Sequence, residues 1–275
     1  LMPFMMLVMN FTTIAIVWFG AVRINAGDMM VGDLMAFMQY AMQIMFSMIM
    51  LSMMFVLIPR ASASAARINE VLAIHPSIQE TPSAHDSSML GTIEFKDVSF
   101  YYPGAEKPAL KNLSFKAFPG EVTAIIGGTG SGKSSLLKLI PRFYEPTQGS
   151  ILIDGVPVKD YPLDALRNKI GLVPQKAVLF TGTVKDNIRF GNEMAADEDV
   201  IHAAKVAQAY DFITAMNEGF DSPISQGGTN VSGGQKQRLS IARALVRNPE
   251  IYLFDDSFSA LDFKTDAKLR KALKE

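Results

Sequence analysis

The chain has 275 residues with 26 Lys and Arg against 27 Asp and Glu, so its net charge is near zero and gives no reason to expect a nucleic-acid partner. It has no cysteine, which excludes disulfides and thiolate metal sites. Its length admits one large or two small domains, and the uneven spread of apolar residues sets the boundary.

The front of the chain is membrane-like. Phe4 to Val22 carries no charged side chain, and neither does Leu34 to Ile58. At about 1.5 Å of rise per residue, each stretch can cross roughly 30 Å of hydrocarbon, which predicts two transmembrane helices over 4–22 and 34–58. Buried helices of a soluble core are the alternative reading. Of 17 methionines, 14 precede Arg60; their thioethers make either an adaptable wall for varied apolar ligands or plain lipid-facing filler. Arg60 and Arg67 follow the second span, whereas Arg23 is offset by Asp28 and Asp33. The positive-inside tendency therefore puts the rest of the chain in the cytoplasm of a multi-pass membrane protein, with membrane lipid as its surroundings. The chain begins at Leu1 without a basic flank or a cleavage site, so a signal peptide is not expected and a fragment of a longer protein is.

Ala61 to Ala66 reads as a small-residue helical continuation, and Ile68 to Ile74 leads into a Pro/Ser/His-rich linker. The expected organisation is a membrane part over 1–66, a linker over 67–90 and a soluble domain over 91–275. In that domain Thr92 to Val98 alternates like a half-buried strand, Leu113 to Phe118 reads as another, and Val122 to Ile126 is a short apolar strand entering a glycine loop. Ser135 to Ile140 predicts a helix ended by Pro141. Ser150 to Asp154 and Ile170 to Val173 read as strands, 183–245 is mostly helical, and Ile251 to Phe254 returns to a buried strand. This order predicts an α/β nucleotide-binding core with a helical insertion.

Three motifs carry the chemistry. Gly127, Gly128, Thr129, Gly130, Ser131, Gly132, Lys133 and Ser134, followed by Ser135, form a G-x-x-x-x-G-K-S loop whose backbone N–H groups wrap phosphates. Lys133 reaches the β- and γ-phosphates, and Ser134 ligates Mg²⁺. Asp255 closes an apolar strand, the placement needed to hold a water on the same Mg²⁺. Ser232 and Gln235 have the spacing of a capping box. Gly233 and Gly234 between them let a phosphate approach a helix N-terminus, and a domain that already has a phosphate loop needs no second one for its own nucleotide. The economical inference is that this helix addresses another subunit's ATP.

These residues resemble an ATP-binding cassette (ABC) transporter of the exporter type, over essentially the whole chain. The resemblance implies α-helical transmembrane segments followed by an α/β P-loop NTPase (ABC ATPase) domain with a helical subdomain, binding ATP and Mg²⁺. Val231 to Gln235 resembles the family's LSGGQ signature. Gln175 resembles the Q-loop residue that senses Mg²⁺ and links to the membrane part, Ser259 to Asp262 resembles the D-loop, and Tyr102 resembles the aromatic that stacks on adenine, with Tyr101 the neighbouring candidate. The two spans are similar to the last pair of membrane helices of a half-transporter. Three departures follow from the comparison: the family's switch histidine lies farther from Asp256 than Glu275 reaches, so the cassette is expected to be truncated. Gln226 stands where exporters carry an acid before the signature. Asp256 stands where they carry the glutamate that acts as catalytic base.

Asp and Glu differ little in basicity, about 3.9 against 4.3 in pKa, so reach is what the swap changes. A displacement of about 1 Å can cost on the order of 10²-fold in rate. The expected protein is therefore an exporter subunit whose own site, with Asp256 and Gln175 in the catalytic positions, binds ATP but hydrolyses it slowly, and whose signature completes a competent site on a different partner chain. A homodimer with two slow sites, an ATP-gated regulatory or channel subunit, and a soluble ABC ATPase are the other readings; the spans speak against the last.

Overall fold

The computed structural model describes residues 2–79 and 91–273, which divide into two compact units at Ser77 and Ile78. Part of the expected linker thus lies outside the described residues.

The first unit is a helix pair, α1 (Met2–Asn25) and α2 (Val31–Leu72). Both are long and apolar enough to cross a membrane by length and composition. Gly20 is where they approach: a Cβ there would run into Leu34 Cδ1. Asp33 caps α2 by accepting from Met30 N at 3.1 Å. The helix runs through Pro59 and past residue 66 without interruption, so the small-residue stretch continues the second span as one rod of 42 residues. None of the residues of α2 is buried, and Trp18, Phe19, Phe46 and Phe55 are among the large apolar side chains left outside. A pair this apolar has surface for lipid or further helices, not for water.

In the second unit, β1 (Ile93–Phe100), β2 (Leu110–Ala117), α3 (Lys133–Leu139), β3 (Gln148–Ile153) and β4 (Val156–Pro157) come first. They give an antiparallel sheet in the order β2-β1-β3-β4. Next come α4 (Leu163–Asn168), β5 (Ile170–Val173), β6 (Gly182–Thr183), α5 (Val184–Arg189), α6 (Asp197–Val206) and α7 (Tyr210–Thr214). The unit closes with β7 (Pro223–Ile224), α8 (Gly233–Leu245), β8 (Ile251–Phe254) and α9 (Phe263–Ala272). β5 and β8 pair in parallel, with Ile170 opposite Ile251 and Val173 opposite Phe254.

Two apolar cores result. Phe95, Ile151, Ile153 and Leu139 build one with Ile170 and Leu253, between the antiparallel sheet, α3 and the parallel pair. Val184, Ile188, Val200, Ile213, Leu239 and Ile241 build the other among α5, α6, α7 and α8. This is the α/β core with a helical part that the residue pattern implied.

The expected strand over Val122–Ile126 does not form. These residues carry no ladder hydrogen bonds, and Val122 and Ile126 are 80% and 93% exposed. An apolar run becomes a strand only where a neighbouring edge supplies its partner groups. Among the described residues the parallel sheet has two strands, and neither takes it. The strands expected over 170–173 and 251–254 form with those bounds, and the three others differ from expectation by one to three residues at their ends, where pairing sets the boundary.

Candidate functional site

The glycine loop leads directly into α3. Gly132 is the N-cap at φ 92°, a left-handed conformation that favours glycine, and a Cβ there would stand 2.5 Å from Ala109 O. Gly130 takes φ 80°, while at Gly128 and Gly130 a Cβ would meet nothing within 4 Å. Lys133 folds back over the loop, donating from Nζ to Gly127 O at 2.6 Å and Gly128 O at 2.8 Å. An ammonium held by two carbonyls at the mouth of a glycine loop is set to meet a polyphosphate, the stronger acceptor. Thr129 and Ser131 lie on the exposed arc of the loop, and Ser131 N donates to Gly128 O at 3.3 Å.

Ser134, on the first turn of α3, donates from Oγ to Asp255 Oδ1 at 2.8 Å across 121 residues of sequence. Asp255 sits there because β8 pairs with β5: its N–H donates to Val173 O at 3.0 Å, continuing the parallel register past the strand end. A hydroxyl and a carboxylate converging beside a phosphate loop fit Mg²⁺, which takes few protein oxygens and keeps waters and phosphates for the rest. Among the described residues there is no cluster of three or more His, Asp or Glu, so a cation held by protein carboxylates alone has no cage here.

Gln175, just past β5, donates from Nε2 to Asp256 Oδ2 at 3.4 Å. Asp256 is exposed and takes φ 48°, which a short Asp tolerates better than most residues. The structure thus brings together Gln175 and Asp256, the two residues expected in the catalytic positions. Ser257, fully buried, ties the following turn to the end of β5 by donating to Val173 O at 2.9 Å.

Tyr102 rests its hydroxyl 2.9 Å from Ser135 Oγ on α3, and its ring is edge-on to Phe100 and Tyr144 at 4.8 and 5.3 Å. Tyr101 is the more exposed of the two tyrosines. Tyr144 escaped sequence reasoning, because a lone Phe-Tyr pair after Pro141 gives no periodic signal.

The capping box closes at the other motif: Ser232 N donates to Gln235 Oε1 at 2.8 Å and Gln235 N to Ser232 Oγ at 3.3 Å. Gly233 meets nothing, while a Cβ at Gly234 would stand 3.1 Å from Ala260 O. The polar contacts of Ser232 and Gln235 are thus within their own turn. Behind them, Arg238 donates to Gln208 O at 2.9 Å and lies 4.7 Å above the Phe212 ring, tying α8 to the helical part. Burial holds its guanidinium below the ordinary arginine range. Arg243 does the same farther along, bonding Asn187 O and Val178 O at 2.8 Å each and Asn187 Oδ1 at 2.9 Å.

Three comparisons bear on this site. The profile of the ABC transporter family matches residues 110–259. The chain is 47% identical over 272 residues to the ABC transporter ATP-binding protein YfiB of Bacillus subtilis, covering 99% of this chain and 47% of that one. It is 38% identical over 272 residues to the ATP-dependent lipid A-core flippase of Desulfotalea psychrophila, covering 98% of this chain and 47% of the flippase. A solved bacterial Atm1-family ABC exporter with ATP bound superposes with a TM-score of 0.85 at 33% identity, over 98% of this chain and 47% of that one. The chain spans about half the length of the curated relatives it matches.

Proposed function

The chain belongs to the ABC transporter family, and from that premise we propose that it is the membrane-anchored, ATP-binding part of an exporter half, working with a different half as partner. ATPase domains of this family bind ATP with Mg²⁺ and couple its hydrolysis to transport. The observation that carries the reading is the Ser134–Asp255 hydrogen bond of 2.8 Å beside the Lys133 loop, because it joins the two halves of a Mg²⁺-nucleotide site over 121 residues.

Export is supported by the relatives' names, a flippase and an exporter, and by two helices apolar enough to cross a membrane. The protein is then multi-pass, with the second unit in the cytoplasm on the side of Arg60 and Arg67. Carbonate extraction of the full-length protein checks this: it stays with the membrane fraction, and release into the supernatant is the contrary result.

At this chain's own site Lys133 holds the phosphate charge, Ser134 and Asp255 orient oxygen donors, and Asp256 accepts the proton of an attacking water. Bound Mg²⁺ would neutralise charge on the transferring phosphoryl group. Asp256 is one methylene short, and a misplacement of about 1 Å costs on the order of 10²-fold, so this site holds ATP and turns it over slowly. Ser232, Gly233, Gly234 and Gln235 serve the partner's nucleotide, which is where fast turnover occurs.

Photo-labelling with azido-ATP, resolved chain by chain in the full transporter, tests the arrangement. Lys133→Ala removes labelling of this chain. Gly234→Asp leaves that labelling and lowers turnover at the partner's site; loss of labelling from this chain alone would sink the shared-site geometry.

A further inference from the structure

The first two turns of α8 rest on two loops that leave the chain's own ATP site. Gly234 lies against Ala260, in the loop after β8, where a Cβ would stand 3.1 Å from the Ala260 oxygen. Gln237, one turn on and 3% exposed, donates from Nε2 to Pro174 O at 3.4 Å, in the loop after β5. That carbonyl belongs to the residue immediately before Gln175, whose own amide reaches Asp256 Oδ2. The far end of the same short loop is held from α8 as well, since Arg243 donates to Val178 O at 2.8 Å.

Gln237 is out of character for its surroundings. Leu239, Ile241 and Ala242 share its helix and are buried apolar residues, and a buried amide costs free energy unless it is bonded. An apolar side chain of the same length would fill the space. What the amide adds is a direction: it fixes α8 to the backbone beside Gln175.

We propose that Gln237 is a positioning residue that couples the two ATP sites of the transporter. Occupancy of this chain's site moves Gln175 with Pro174, the Gln237 hydrogen bond carries that movement into α8, and Ser232 to Gly234 present themselves to the partner's nucleotide accordingly. The inference rests on the shared-site reading above. It adds the residue through which a slow site regulates the fast one.

A double-mutant cycle in the full two-chain transporter tests it, reading steady ATP hydrolysis, which reports the partner's site. Lys133→Ala on this chain lowers turnover about tenfold, a coupling within the usual span of linked sites. In a Gln237→Met background, which keeps side-chain volume and removes the donor, the same Lys133→Ala change alters turnover by less than about twofold. Gln237→Asn, too short to reach Pro174, behaves likewise and stands in should the Met variant fold poorly, as judged by Tm. An undiminished Lys133→Ala effect in both backgrounds overturns the coupling role. No Lys133→Ala effect with Gln237 intact overturns the coupling and leaves the shared-site reading standing, since that reading is tested separately by the Gly234→Asp and labelling outcomes above.

Discussion

Gln175 donates to Asp256 Oδ2 across 3.4 Å, so the amide at the end of β5 and the short carboxylate beyond β8 form a pair. The parallel register of the two strands brings them together from 81 residues apart. The carboxylate therefore has a partner on one side and, as an aspartate, limited reach on the other.

Asp256→Glu is expected to raise hydrolysis at this chain's site by about 10²-fold, since the added methylene restores about 1 Å of reach. Site-resolved vanadate trapping in the two-chain transporter measures it. Total activity surviving loss of the partner's equivalent acid, yet collapsing with Asp256→Asn, would identify this site as the working one.

Ser134→Ala and Asp255→Ala each remove one end of the 2.8 Å hydrogen bond that joins α3 to β8. Because they act as a unit, the double variant is expected to bind Mg²⁺-ATP no worse than the weaker single variant, and each single to lose about tenfold or more. Titration of nucleotide binding with Mg²⁺ and again with EDTA checks it. The variants should differ from the parent with Mg²⁺ and converge on it with EDTA.

Lys169 ties Asp154 Oδ2 and Glu250 Oε2, at 3.1 and 2.7 Å, and so fastens the antiparallel sheet to the start of β8. Burial pulls its ammonium down, but hydrogen bonds to Glu250 and Asp154 outweigh that and hold it above the ordinary lysine range. A raised pKa means the stabilisation is full below the unfolded value of about 10.4 and fades as pH rises through the folded one. Tyr161 moves the same way, its proton held by burial and then by Asp154, so its contribution also fades above about pH 10. The Tm difference between the parent and Lys169→Met should be constant through neutral pH and shrink in the alkaline limb. A difference that grew there would refute the assignment.

Arg243 is the cation that fastens the end of α8, lying 5.1 and 5.5 Å from the Phe180 and Phe190 rings in addition to its three hydrogen bonds. Burial lowers its pKa, and among the described residues no acid is paired to it. Arg243→Ala is expected to cost roughly 3 kcal/mol, about the value of one buried charged hydrogen bond, because the three bonds share one guanidinium and water can take its place at the exposed Val178 carbonyl. Arg243→Lys should recover less than half, since a point charge cannot span three acceptors. Denaturant unfolding reads both values, and full recovery by lysine would show that charge alone matters.

The parts of this protein legible in its sequence are those encoded within a few residues. Gly132 at φ 92°, the Ser232–Gln235 capping box and the uncharged runs of α1 and α2 each follow from local spacing, because backbone conformation, helix ends and hydrocarbon length are local properties. The β5 and β8 strands were legible for the same reason, as short β-branched and apolar runs. Val122 to Ile126 has an equally strong pattern and forms no strand, since a strand also needs an edge. Ser134 and Asp255, 121 residues apart, were brought to one Mg²⁺ by motif chemistry, but the partners of Lys169, Gln237 and Arg243 lie 81, 63 and 56 residues away with no motif to announce them. No spacing rule reaches so far. A buried polar group takes whichever acceptor the packed elements bring within about 3 Å, and that choice exists only once both apolar cores have closed.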